Sequence, residues 1–95
     1  MVKRRRRTGR TQQYENPTYL DLIARVAHHA RVTREALDLS QEEAADRCGM
    51  DTRVYQRVEA AEGNVTFTTL ARLCNGLRID GARLLRPVRR SRKRP

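Results

Sequence analysis

The sequence predicts an all-α fold of five helices with a basic segment at either end, and three observations carry that prediction. Apolar residues recur at three-to-four-residue steps over Leu20–Leu37 and again over Leu70–Leu77, the spacing of a helix with one buried stripe. Ser40 and Glu43 form the S-x-x-E pattern of a helix start, and Gly49 stands where that helix must end. Only four residues are aromatic (Tyr14, Tyr19, Tyr55 and Phe67) and the apolar residues are mostly Ala, Leu and Val, which suits a helical bundle better than a β-sandwich. Ninety-five residues allow one core.

The elements follow in order. Asn16-Pro17 opens the first helix, because Asn can accept from an unpaired N–H and Pro at the first helical position has no N–H to leave unpaired. Its stripe is Leu20, Ile23, Val26, Ala27, Ala30 and Leu37. The second helix begins at Gln41 behind the Ser40 cap, and its Ala44, Ala45 and Cys48 make a narrow face that another helix can approach closely. Gly49 supplies the left-handed residue that turns the chain. Asp51 is the expected cap of a third helix with Val54, Tyr55 and Val58 inward and Thr52, Arg53, Gln56 and Arg57 outward. Gly63-Asn64 marks a loop, Thr66 caps a fourth helix striped by Leu70, Leu73, Cys74 and Leu77, and a short fifth helix covers 80–85. The expected organisation is a basic arm over 1–16, a folded unit over 17–85 and a basic tail over 86–95.

The net charge of +10 is concentrated at the ends. Residues 1–10 carry six cations, including Arg4, Arg5, Arg6 and Arg7, and residues 86–95 carry six more, which leaves nine basic against eleven acidic residues between them. Such ends cannot bury apolar surface, so they are expected to be disordered when free and available to polyanions, a solubilising role being the alternative.

Other classes fit poorly. No segment is apolar over the roughly 20 residues that span a bilayer, and the first ten residues lack the apolar stretch of a secretion signal, so a cytoplasmic location is expected. Cys48 and Cys74 lack a C-x-x-C or Cys/His spacing, and the adjacent His28 and His29 are not an i, i+4 pair, so neither metal nor cofactor is expected. No nucleophile–base arrangement, Gly-rich phosphate loop or carboxylate dyad can be assembled, and an enzyme is not expected.

Residues 39–59 read L-S-Q-E-E-A-A-D-R-C-G-M-D-T-R-V-Y-Q-R-V-E. This stretch resembles the lambda-repressor-like, Cro/XRE-type helix-turn-helix family: Ser-Gln opening the second helix, a small residue at Ala45, Gly at the turn, and Arg57-Val58-Glu59 in place of the family's closing Arg-Ile-Glu. The resemblance runs without a gap through Leu77. It departs at Ala61, where Gly is common, at Glu62, where a basic residue is common, and at Val65, where Pro is frequent.

The resemblance implies a DNA reader. Gln41 would bond a phosphate, Thr52, Arg53 and Arg57 would face the bases with Gln56 beside them, and Asn64 would lie in the loop that approaches the backbone. Arg34 and Glu59 hold the positions of a structural ion pair between the first and third helices. The basic arm, Arg4 to Arg7 foremost, would add phosphate or minor-groove contacts. The expected function is a sequence-specific transcriptional regulator of repressor type on double-stranded DNA, acting as a homodimer through Leu84 and Leu85 or through Leu20 and Leu22. The competing readings are an antitoxin-type module with a protein partner (a toxin or the transcription machinery) and a nonspecific nucleic-acid binder working through its ends.

Overall fold

The computed structural model describes residues 16–88, and the cations expected to contact DNA from both ends, Arg4 to Arg7 included, lie outside that range apart from Arg86. Five helices follow one another: α1 (Pro17–Ala36), α2 (Gln41–Arg47), α3 (Thr52–Glu59), α4 (Phe67–Leu77) and α5 (Gly81–Leu84). No strand occurs among the described residues.

The starts of three helices are written in their caps. Asn16 Oδ1 accepts from the N–H groups of Thr18 (2.7 Å) and Tyr19 (3.3 Å), with Pro17 at the first helical position. Ser40 Oγ accepts from Glu43 N at 3.0 Å while Glu43 Oε1 accepts from Ser40 N at 2.8 Å, closing the capping box. Thr66 Oγ1 accepts from Thr69 N at 3.2 Å. Asp51 departs from expectation: it precedes α3 in extended backbone but makes no side-chain cap bond. Gly49 takes φ +66°, the left-handed turn residue between α2 and α3. Ala61 takes φ +58°, which explains why Gly would be the easier residue there.

The core is built around Tyr55, Leu73, Leu77 and Leu84, all essentially inaccessible to solvent. α3 packs on α1 and α2, α2 also meets α4, and α5 closes against α1 and α4. Ala30, Ala44 and Ala45 are buried at these contacts, where small side chains let the backbones approach. Two members of the expected α1 stripe lie outside the core: Leu20 and Leu37 are exposed, Leu37 because it follows the last helical residue. Leu84 is fully buried within its own chain and Leu85 packs against the same core, so of the two faces expected to carry a dimer only Leu20 and Leu22 are exposed.

The α1–α5 contact is pinned by side chains. Arg25 Nη1 donates to Leu85 O at 3.0 Å, and His29 Nε2 lies 2.9 Å from Arg86 O. His28 meets His29 edge to face at 5.0 Å; burial, then the charges of His29 and Arg31, hold its pKa below the ordinary 6.5.

Gly76 permits the closest helix approach. A Cβ there would lie 2.5 Å from Cys48 Sγ and 2.7 Å from both the Cα and N of Cys48, so the clash is with backbone that cannot swing aside. Gly76→Ala is therefore expected to force α2 and α4 apart and to cost about 1–3 kcal/mol. Urea unfolding checks this, and an unchanged midpoint with unchanged slope refutes it.

Candidate nucleic-acid interface

The turn at Gly49 sets α3 at an angle to α2, and α3 carries its polar residues on the face away from the core. Tyr55 and Val58 are buried, Arg53, Gln56 and Arg57 are exposed, and Thr52 is half-buried. Among the described residues neither the Arg53 nor the Arg57 guanidinium is held by a hydrogen bond or an ion pair. Both forks therefore keep their five N–H donors for a ligand.

Behind this face the two helices are joined by a chain of polar contacts. Gln56 Nε2 donates to Gln41 Oε1 at 3.2 Å, and Gln41 Nε2 donates to Glu59 Oε1 at 3.0 Å. Glu59 in turn accepts two bonds from Arg34, from Nε to Oε2 at 2.7 Å and from Nη2 to Oε1 at 3.1 Å. Arg34 Nη1 also donates to Leu39 O at 2.9 Å, so one guanidinium ties the end of α1 to the approach to α2 and to the last residue of α3. The side chains are 14% and 5% exposed for Arg34 and Glu59, which makes this a shielded pair.

Burial works to raise the Glu59 pKa, but the hydrogen bonds donated by Arg34 and Gln41, with the Tyr55 hydroxyl nearby, outweigh it and hold the carboxyl below its ordinary 4.5. Tyr55 responds in the opposite sense: burial first, then the neighbouring Glu59 carboxylate, push its phenol far above the usual range. Its hydroxyl does not close a hydrogen bond of ordinary geometry. Burial likewise raises the thiol pKa values of Cys48 and Cys74, disfavouring the reactive thiolate.

The loop between α3 and α4 borders the same face, with Glu62, Gly63 and Asn64 exposed. Tyr19 Oη donates to Gly63 O at 2.8 Å, which ties the first turn of α1 to this loop. The N-terminal end of α1 therefore lies beside the loop. A 360 Å³ cleft lined by Tyr19, Leu20, Ile23 and Asn64 lies at the junction.

The structure brings Gln41, Thr52, Arg53, Gln56 and Arg57 together on α2 and α3, with Asn64 on the neighbouring loop. It corrects one orientation. Val54, expected inward, is 44% exposed, because Tyr55 and Val58 fill the space against α1 and α2 and so fix the rotation of α3. Val54 then lies at the edge of the polar face, 100° around the helix from Tyr55. Phe67, the first residue of α4, is 86% exposed and had no signal in the sequence pattern, since it sits among threonines outside any apolar stripe.

Comparison with known proteins agrees with this geometry. The pattern of the Cro/C1-type helix-turn-helix family matches residues 31–84. A solved structure described as a hypothetical transcription factor, NHTF, from Neisseria is 31% identical over 75% of this chain and 82% of its own, with a TM-score of 0.68. No curated protein matches.

Proposed function

The chain belongs to the Cro/C1-type helix-turn-helix family, and we propose that it is a DNA-binding transcriptional regulator that reads sequence through α3. The observation that carries this reading is the pair of guanidinium groups, Arg53 and Arg57, unheld among the described residues, on the exposed face of a helix whose other side is locked to α1 and α2. An α-helix fits the roughly 12 Å wide major groove, where an Arg fork matches the O6 and N7 acceptors of guanine. Gln41, at the first position of α2, is placed to bond a phosphate and fix register, and Asn64 does the same from the loop. The hydrogen bonds from Gln41 to Glu59 and from Gln56 to Gln41 orient these amides before DNA arrives.

We read the regulator as a homodimer on two half-sites about 34–36 Å apart, repressing by occupying promoter DNA in the cytoplasm. Among the described residues no helix is long and apolar enough to cross a membrane. Selection from a random duplex library, followed by titration of the winning duplex against its scrambled form at about 0.15 M salt, tests the function. A preference of about 10³-fold or more is expected. Equal affinity for the two duplexes would replace the reading with nonspecific binding.

The basic arm belongs to the same proposal. The Tyr19–Gly63 bond holds the start of α1 beside the loop, which supports an arm that reaches the DNA from there. Residues 1–10 carry six cations, and each phosphate they neutralise steepens the plot of log affinity against log salt by about 0.9. Removing residues 1–15 is expected to flatten that slope by up to about 5 units. A slope that does not change rejects the arm as a DNA contact.

A further inference from the structure

We infer that Val54 reads the 5-methyl group of a thymine, making the preferred half-site one that presents thymine next to the base contacted by Arg57. This rests on the DNA-reading role of α3 proposed above.

The observation is an apolar side chain where a DNA-facing helix should have none. Val54 is 44% exposed on an eight-residue helix whose other outward residues, Thr52, Arg53, Gln56 and Arg57, all carry hydrogen-bonding groups. It forms one wall of a cleft of about 90 Å³, which it shares with Arg57 from the next turn, Glu62, Asn64 and Val65 from the loop, and Thr69 from α4. That space is enough for a small group such as a methyl. Its walls mix aliphatic carbon from Val54 and Val65 with the charged side chains of Arg57 and Glu62.

Double-stranded DNA offers one group that matches. In the major groove every base edge presents donors and acceptors, and only thymine adds an apolar projection, the C5-methyl. A methyl set against Val54 leaves water on both sides, a gain of about fourfold in affinity for one buried methyl. Against Val54 itself, a base without that methyl offers nothing apolar to bury. Arg57, at i+3, projects beside Val54 and can contact the neighbouring base at the same time. The selectivity therefore comes from removing an apolar methyl from water, not from a hydrogen bond.

The test uses the full chain and the duplex obtained by selection. Each thymine of that duplex is replaced in turn by deoxyuridine, which removes only the methyl and keeps every hydrogen-bonding group. At one position per half-site the substitution is expected to weaken wild-type binding about fourfold, and Val54→Ala is expected to abolish the difference between thymine and deoxyuridine at that position. Val54 is exposed, so the variant should keep its melting temperature, which is measured alongside.

If a duplex is preferred but no deoxyuridine substitution matters, the thymine reading fails while the regulator stands. If the methyl matters equally in wild type and Val54→Ala, another residue reads it and the inference is overturned. If no duplex is preferred at all, the inference falls together with the proposed function.

Discussion

Arg34→Ala is expected to destabilise the fold by about 3–5 kcal/mol, which for a domain of this size lowers the melting temperature by more than about 12 °C. The magnitude follows from what is left behind. Removing the guanidinium strands the Glu59 carboxylate, 5% exposed, with Gln41 as its remaining direct partner, and also frees the carbonyl of Leu39. The loss is a large part of the roughly 5–15 kcal/mol that holds a small domain folded. Because the penalty is a stranded charge, the double substitution Arg34→Met with Glu59→Leu should cost less than Arg34→Ala alone. A variant that melts with wild type would show that the pair contributes nothing to the fold.

The same pair sets an acid limit. Glu59 has a folded-state pKa below the ordinary 4.5, so its contribution is fully present above 4.5 and is lost as pH falls through the lower folded-state value. Arg34 stays charged throughout, its own pKa raised by the hydrogen bonds it donates to Glu59. The difference in stability between wild type and Arg34→Ala should therefore be widest near neutrality and should shrink below pH 4.5. Urea midpoints measured across that window check it. A constant difference would mean that Arg34 acts through packing and its bond to Leu39 alone.

What could be read from the sequence was local chemistry. The caps at Asn16, Ser40 and Thr66 and the turn at Gly49 act over two or three residues, so the residue types themselves reveal them. The features that escaped depend on contacts distant in sequence. Val54 looked like a core residue because its spacing from Val58 is helical; it is the bulk of Tyr55, packed between α1 and α2, that rotates it outward. Gly76 has no local signature inside α4, and its necessity appears only when Cys48 arrives from α2. The Tyr19–Gly63 bond joins residues 44 apart in the chain. Among the candidate DNA contacts, an outward Arg on a helix is ordinary, and the resemblance in register, not the composition of the face, singled out Arg53 and Arg57.

Arg53→Ala is expected to remove most of the discrimination between the preferred and scrambled duplexes while leaving the fold intact. A bidentate Arg–guanine contact is worth about 1–3 kcal/mol, and a dimer on two half-sites makes it twice, so the loss on the preferred duplex should be roughly 30- to 10⁴-fold. Binding to the scrambled duplex should fall little, because that affinity comes from phosphates and from the charged ends, which the substitution leaves in place. Arg53 is exposed and holds no partner among the described residues, so nothing in the fold depends on it. Arg53→Lys separates the two ways an Arg can act: an ammonium restores a phosphate contact but cannot present the planar fork that matches guanine. A lysine variant that recovers neither affinity nor preference on the selected duplex would assign Arg53 to base reading. Equal losses on both duplexes in Arg53→Ala would move it to the backbone and leave Arg57 and Val54 to carry the specificity.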